Sequence, residues 1–405
     1  MALARTSLYS AGTMKAMIGA TFVVLLEVLS FGAVLPVIGE YCQTLGADAD
    51  QVGLWTGILF FLQILPKVFT NPFWGRLSDR LGRKPIVLVV TLGTMSGSIV
   101  WALSTGLGML IVSRAITGIF SAQATLAQTI AADSTPPEKR AASMGMLGAA
   151  FGIGVTVGPL LGGILGEQYS EAAVGWLCCG FQLTSLLIVM FMLPETREKQ
   201  VATGSDDKVR QNSIGTLIGD SSVMWVLMTC LVMTVGIAML NFTIMHVTLD
   251  WYGMNKQSTG YLLAVMGLIG TFVQGGMIRP MVKRSGEIVT TGLGLVLTAA
   301  GLFLLGTQPE SGGLWTAISL IAIGSAFAVP ALTGLLSRRV PADIQGVALG
   351  LNQSFTASGR AVGALAGGWI YSSVGQSYPY SIGGVLVLAS IALLIAARRE
   401  PAAVD

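Results

Sequence analysis

Long apolar runs alternate with short polar connections along the whole chain. A helix needs about 20 apolar residues to cross the hydrocarbon core of a bilayer, and twelve runs are long enough to do so. The runs are continuously apolar and lack strict two-residue alternation, which predicts helices and not the strands of a barrel. The predicted spans are 17–39, 51–74, 85–106, 108–131, 141–166, 172–194, 222–248, 256–281, 287–306, 312–337, 345–373 and 377–397.

Composition excludes an ordinary soluble protein. Hydrophobic residues make up 53% of the 405 residues and charged residues 11%, whereas soluble domains carry about 25% charged residues. The mean hydropathy is +0.73. We therefore expect most side chains to contact lipid or other apolar helices, and we predict a multi-pass membrane protein.

The basic residues are distributed unevenly between the two sides of the predicted membrane. Connections after odd-numbered spans carry one basic residue, Lys256, whereas connections after even-numbered spans and the two termini carry eighteen. Basic connections remain on the cytoplasmic side. Both termini are therefore expected in the cytoplasm, which requires an even number of spans, and a cell (inner) membrane is the expected location.

The chain divides into two similar halves. Residues 195–221 are the one long polar connection, which predicts an N-terminal half over 1–194, a cytoplasmic linker over 195–221 and a C-terminal half over 222–405. A glycine motif in span 5 recurs in span 11 at a constant offset of 205 residues. Duplicated six-helix units are typical of transporters, whose substrate site lies between the halves near the bilayer midplane. The first copy is Gly154, Gly158, Pro159, Gly162 and Gly163, and the second is Gly359, Gly363, Ala364, Gly367 and Gly368.

A charged decapeptide, residues 75–84, joins spans 2 and 3. Its pattern G-x-L-x-D-R-x-G-R-K resembles the signature loop between helices 2 and 3 of the major facilitator superfamily. The resemblance implies an all-α membrane protein with twelve transmembrane helices in two pseudo-symmetric six-helix halves. We expect Asp79 and Arg83 to form a latch at the cytoplasmic mouth, while Gly75 and Gly82 permit tight turns. Alternatively, the basic residues of the decapeptide only keep this loop on the cytoplasmic side, but this explanation does not account for Asp79. The predicted gate residues are Gly75, Asp79, Arg80, Gly82, Arg83 and Lys84, with Asp133 and Arg140 from the similar loop after span 4.

Glu27 is the one acid that we place deep inside a span. Intramembrane acids are usually functional, and a carboxylate that gains and loses a proton suits a proton-coupled carrier. A structural carboxylate permanently paired with a cation is the alternative. Lys67 in span 2 is the candidate partner, although its long side chain could instead reach the cytoplasmic interface.

Other polar residues lie within the spans. Arg114 has Gly118 four residues later, which resembles the span-4 pattern of the superfamily and implies a buried arginine in a proton relay. An arginine that anchors the helix end at the outer interface is the alternative. Further residues are candidates for lining a substrate cavity, or alternatively for pairing helix to helix. They are Gln63, Gln123, Asn241, Gln274, Asn352, Gln353 and Arg360.

Two stretches are similar to the twelve-span drug:proton antiporters of the superfamily. The span-5 motif with Pro159 resembles the antiporter motif, which uniporters and symporters generally lack. Residues 26–36, L-E-V-L-S-F-G-A-V-L-P, resemble the span-1 signature of these antiporters, including bacterial tetracycline exporters, with Glu27 in place of the usual aspartate. Gly270 stands where the tetracycline exporters carry histidine, so tetracycline itself is not implied as the substrate.

The expected function is therefore proton-coupled secondary active transport, with export of small amphipathic molecules or drugs in exchange for protons by alternating access. The alternative is a proton-coupled importer or uniporter of a metabolite such as a sugar, because residues 194–197 resemble the end of span 6 in sugar porters. We expect no enzymatic activity, no metal and no cofactor beyond the proton gradient. The expected partners are a small-molecule substrate, protons and the lipid bilayer, without nucleic acid, and the protein is expected to be a monomer.

Overall fold

The computed structural model describes residues 2–135, 140–195, 215–308, 310–341 and 344–399, with backbone alone for 2–13, 140–142 and 398–399. Most of the predicted central linker lies outside these residues. No strand occurs in the described part of the chain. The helices are α1 (Ala2–Val34), α2 (Ile38–Thr44), α3 (Val52–Leu81), α4 (Arg83–Ala102), α5 (Leu107–Phe120), α6 (Gln123–Ser134), α7 (Arg140–Gln168), α8 (Glu171–Met192), α9 (Ser221–Tyr252), α10 (Lys256–Phe272), α11 (Ile278–Gly306), α12 (Ser311–Arg338), α13 (Gln345–Ser373) and α14 (Tyr378–Arg399).

The helices agree with the predicted spans. Among the described residues, ten segments are long and apolar enough to cross a membrane. One of them, Lys256–Gly306, is 51 residues long and covers two predicted spans. Helix α13 matches the eleventh predicted span but does not count among the ten. The all-helical architecture is confirmed, and the helices are consistent with twelve spans.

Gly286 separates the eighth and ninth predicted spans within the 51-residue segment. Its φ angle is +76°, so the helix is interrupted there although α11 is otherwise helical. Glycine adopts this left-handed conformation without the steric cost that a Cβ atom imposes. Just before α11, a single π-helical turn over Val273–Met277 follows α10.

The structure differs from the prediction in one span and in one connection. The predicted span 4 is two helices, because α5 ends at Phe120 and α6 begins at Gln123. The decapeptide is mostly helical, since α3 continues to Leu81 and the turn consists of Gly82 alone, with φ of +102°. The prediction that Gly75 makes a turn is therefore wrong, because Gly75 lies inside α3.

The chain forms two compact units. The first comprises described residues within Met1–Gly46, Leu65–Ala202 and Asn255–Ala264. The second comprises those within Ala47–Ile64, Thr203–Met254 and Val265–Asp405. Each unit contains most of one predicted half and a short segment from the other.

In the first unit, α1 is the central helix and packs against α6, α7 and α8, while α4 packs against α5 and α8. The shared core contains Val24, Val28, Val87, Leu126 and Ile130, all of which are buried. These branched apolar side chains lie on α1, α4 and α6 and pack together. The core therefore fixes the position of α1 against the break between α5 and α6.

In the second unit, α9 packs against α13 and α14, and α11 packs against α12 and α14. Helices α11 and α12 approach closely, since a Cβ atom on Gly294 would lie 2.5 Å from the carbonyl oxygen of Gly324. Small residues allow such close packing in membranes, where the association of helices depends on van der Waals contact.

Candidate functional site

The Glu27 carboxylate accepts hydrogen bonds at the break in the fourth predicted span. The Ser121 hydroxyl donates to its Oε1 atom at 2.7 Å, and the backbone N–H of Ala124 donates to its Oε2 atom at 2.7 Å. The Nζ atom of Lys67 lies 3.8 Å from Oε1. The Glu27 side chain is only 11% exposed. Each of the three neighbours presents a hydrogen-bond donor or a positive charge to the carboxylate.

The interruption between α5 and α6 explains this arrangement. The first N–H groups of a helix have no acceptor within that helix, and the N-terminus carries a partial positive charge. Glu27 reaches from α1 and supplies the acceptor to Ala124, in the first turn of α6. The sequence did not reveal Ser121 and Ala124 as partners because it predicted one continuous span.

Lys67 extends from α3 towards Glu27. Its ammonium lies 5.9 Å from the centre of the Phe31 ring, and its side chain is 22% exposed. The predicted pairing with Glu27 is therefore present at ion-pair distance, and the side chain does not extend to the end of α3. Whether the pair carries protons stays a prediction.

Arg114 is buried inside the first unit. It is 3% exposed, and its guanidinium lies 4.4 Å from the centre of the Trp101 ring, where a cation–π contact stabilises it. Its Nη2 atom also donates to the Ser113 hydroxyl at 3.1 Å. This burial contradicts the alternative of an interfacial anchor, whereas a role in a proton relay stays a prediction.

A buried polar network joins four helices beside Glu27. Gln123 donates to the Thr94 hydroxyl at 2.7 Å, and Thr94 donates to the Gln182 carbonyl at 3.2 Å. Gln182 donates in turn to the Ser30 hydroxyl at 3.2 Å. Gln123 is fully buried, so in this structure it pairs helix to helix instead of lining an open cavity. The network also holds the first residue of α6 in place, next to the N–H group that binds Glu27.

Two of the predicted gate residues, Asp79 and Asp133, form a cluster around Arg83. The Nη1 atom of Arg83 lies 2.8 Å from Asp79 Oδ1 and donates to the Ser78 hydroxyl at 2.6 Å. Its Nε atom donates to Asp133 Oδ2 at 2.9 Å. The expected contact between Asp79 and Arg83 is present, and Asp133 joins it. The function of this cluster as a latch stays a prediction.

Glu195 joins the cluster around Arg83, and sequence reasoning missed it. Its carboxylate accepts the backbone N–H groups of Arg83 at 2.9 Å and Lys84 at 3.2 Å, so it caps α4. The Lys84 ammonium donates to the carbonyl of Met190. Arg80 is exposed, and the side chain of Arg140 lies outside the described residues.

The antiporter-motif glycines of α7 lie against α1. A Cβ atom on Gly154 would lie 2.7 Å from Val28 Cβ, one on Gly158 would lie 2.8 Å from the Leu29 carbonyl oxygen, and one on Gly162 would overlap Ala33. Helix α7 continues through Pro159. Gly163 lies on an adjacent face of α7, where a Cβ atom would lie 2.5 Å from the Lys256 carbonyl oxygen.

The second copy of the motif packs in the same manner within the second unit. Cβ atoms on Gly359 and Gly363 would lie 2.8 Å and 2.5 Å from the carbonyl oxygens of Leu231 and Val235 in α9. The first helix of each predicted half thus packs against the glycine face of the fifth. The repeat in the sequence reflects the same close helix packing in both units.

The remaining cavity candidates differ in exposure. Gln274 and Gln353 are exposed, Asn241 and Arg360 are partly buried, and Gln63 is buried. Asn352 is buried, and its Oδ1 atom has no hydrogen-bond partner among the described residues. The exposed and partly buried residues among them are accessible enough to line a substrate cavity, and that role stays a prediction.

Lys256, at the start of α10, forms a cluster that the sequence did not reveal. Its ammonium lies 2.7 Å from Glu40 Oε2 and 2.6 Å from Glu171 Oε1. Its backbone N–H donates to Glu167 Oε2 at 3.2 Å. The one basic residue of the predicted outer connections therefore balances several of their acids. The signal in the sequence was that Lys256 is the one basic residue in connections that otherwise carry acidic residues.

Comparison with known protein families decides the class. A family model described as the Major Facilitator Superfamily matches residues 20–364. The chain belongs to the Major Facilitator Superfamily. It is therefore a membrane transporter and not an enzyme.

Within the superfamily, the chain is similar to bacterial tetracycline resistance proteins. It is 28% identical to the class B protein of Escherichia coli, over 87% of this chain and 88% of that protein. It is 29% identical to the class D protein of Salmonella ordonez, over 95% of this chain and 97% of that protein. The human organic anion transporter MFSD10 (TETRAN) shares the fold, with a TM-score of 0.72 and 23% identity over 94% of this chain and 99% of that one.

Proposed function

We propose that this superfamily member is a proton-coupled antiporter of the inner membrane, with both termini in the cytoplasm, which exports small amphipathic molecules or drugs. The observation that carries the proposal is the Glu27 carboxylate, which is only 11% exposed within a span and is held by Lys67, Ser121 and Ala124. The similarity to tetracycline resistance proteins and the Pro159 motif of α7 favour export over import.

The contacts of Glu27 supply a means of coupling. The ionised carboxylate attracts Lys67 from α3 and accepts two hydrogen bonds from the break between α5 and α6. A proton on the carboxyl group removes its charge, so the attraction to the ammonium and to the N-terminus of α6 is weakened. Protonation would therefore loosen the contacts between α1, α3 and α6. Two states that differ in these contacts have different affinities for the proton, which is what coupling requires.

The test is transport into everted membrane vesicles that carry an imposed pH gradient, acidic inside. Tetracycline, ethidium and glucose serve as substrates, and wild type is compared with Glu27→Gln. The glutamine side chain keeps the size and a carbonyl acceptor for Ser121 or Ala124 but cannot carry a proton. We expect gradient-driven accumulation of tetracycline or ethidium to fall at least about tenfold in the variant. Exchange of labelled for unlabelled drug without a gradient should continue, because it needs no net proton movement.

The matched control is Asp48→Asn, which removes an exposed acid outside the helices and should leave accumulation unchanged. Accumulation that survives in Glu27→Gln would assign the proton to another group and leave Glu27 as a structural cap. Gradient-driven movement of glucose alone would favour the importer.

A further inference from the structure

Arg360 is a cation in the middle of α13, within the second unit. It lies 15 residues after the start of the helix and 13 before its end, so it is about 20 Å along the helix axis from the nearer end of α13. Its Nε atom is buried, and the described residues provide it with no hydrogen-bond acceptor. None of the ion pairs in the described part of the chain includes Arg360.

A guanidinium cannot lose its proton under ordinary conditions, so Arg360 remains charged wherever it lies. A partly buried charge is costly unless an opposite charge or several acceptors surround it. Arg114 illustrates how the first unit meets this cost, with Trp101 beneath the guanidinium and the Ser113 hydroxyl beside it. No such arrangement surrounds Arg360 among the described residues.

The faces of α13 show which side of the helix Arg360 occupies. At about 100° per residue, Arg360 and the exposed Gln353 lie within about 20° of each other, while Val362 is about 200° away. Val362 and Trp369 share that opposite face and are about half exposed, as expected for contact with lipid. Gly359 lies on a third face, against α9. Gln353 is exposed and Arg360 is partly buried, and the two lie on a polar face that is distinct from the lipid-facing one.

The internal repeat shows that glycine packing does not need an arginine at this position. The residue that corresponds to Arg360 in the first half is Val155, at the same offset of 205 residues as the glycines. Val155 is apolar and exposed, and α7 packs against α1 without any charge there. The arginine is thus specific to the second half.

We propose that Arg360 binds an anionic group, with Gln353 on the same face as a hydrogen-bonding neighbour. The inference rests on the proposed function in that the anion is a carboxylate or similar acidic group of the transported molecule. The same chemistry could be supplied by a free inorganic anion. A planar guanidinium offers two parallel N–H donors to a carboxylate, which gives both charge neutralisation and orientation.

The test uses the purified full-length protein in detergent and a matched pair of probes, naphthalene-2-carboxylate and its neutral amide. Binding is measured by isothermal titration at constant ionic strength. We expect wild type to bind the carboxylate at least about tenfold more tightly than the amide. Arg360→Met should remove this preference, and Arg360→Lys should keep part of it. Arg338→Met, which removes a largely exposed arginine, should leave the preference intact.

Competition distinguishes the two sources of the anion. Displacement of naphthalene-2-carboxylate by millimolar chloride would identify a free inorganic anion as the occupant. Binding of the probe that resists chloride would favour the acidic group of a substrate. Equal binding of the two probes by wild type would overturn the proposal, even if Arg360→Met proved unstable. A preference that persists in a folded Arg360→Met variant would also overturn it. Loss of gradient-driven export in the vesicle assay leaves this measurement unaffected, so the two proposals fail separately.

Discussion

The contact of Gly158 with α1 leads to a prediction that separates close helix packing from helix propensity. In Gly158→Ala, the added Cβ atom would lie 2.8 Å from the Leu29 carbonyl oxygen and 3.0 Å from Gly32 Cα. Ordinary contact begins at 3.4 Å, so α1 and α7 would have to separate by about 0.6 Å. Forced overpacking of this kind costs about 1–3 kcal/mol.

Gly148→Ala is the matched control. Gly148 lies ten residues earlier in α7, and a Cβ atom there would meet nothing within 4 Å. Both variants gain about 1 kcal/mol from the higher helix propensity of alanine. The gain cancels when the two variants are compared, so Gly158→Ala should be less stable than Gly148→Ala by about 1–3 kcal/mol.

The assay is unfolding of the purified protein by SDS, followed by the fluorescence of its eight tryptophans. Circular dichroism of both variants before the titration establishes that each is folded at the start. Equal stability of the two variants, or greater stability of Gly158→Ala, would refute the conclusion that the glycine face of α7 sets its distance from α1.

Two further predictions concern groups outside the proposed transport site. Lys256→Met should lower the free energy of unfolding by about 1–3 kcal/mol, between the values for exposed and buried pairs, because Glu40 and Glu171 then lack their cation. Glu171→Gln in the same background should restore part of the loss in the SDS titration, and an unchanged midpoint in Lys256→Met would contradict the expectation. Burial raises the pKa of the Cys42 thiol to about 12, so only about one thiol in 10,000 is ionised at pH 8. In a variant with Cys42 as its sole cysteine, labelling by iodoacetamide should rise about tenfold from pH 8 to pH 9 and become rapid after unfolding, whereas fast labelling of the folded protein at pH 8 would count against this burial.

The apolar runs were sufficient to predict most of the helices, because crossing a bilayer imposes length and hydrophobicity on each segment separately. The interruption after Phe120 was not predictable in this way. Residues 108–131 are apolar enough for one span, and the helix can break because Glu27 accepts the N–H of a residue 97 positions away. Local patterns do not contain such a partner.

The cluster around Arg83 shows the same limit. The charged decapeptide indicated the ion pair with Asp79, since both residues belong to one short motif. Glu195 lies 112 residues from Arg83, and the resemblance of residues 194–197 to the end of span 6 in sugar porters does not indicate this contact. The motif also suggested tight turns at Gly75 and Gly82, but Gly82 alone interrupts the helices and Gly75 remains helical.

The contact between Glu27 and Ala124 has a consequence for the biogenesis of the protein. Each backbone N–H group without an acceptor in the hydrocarbon core costs several kcal/mol of free energy. Helix α1 is synthesised before α5 and α6, so its carboxylate is already in the membrane when the interrupted span leaves the ribosome. The order of the helices along the chain thus provides an acceptor before it is needed. A chain permuted to place α1 last would have to insert that interruption without it, and we expect such a chain to accumulate poorly in the membrane.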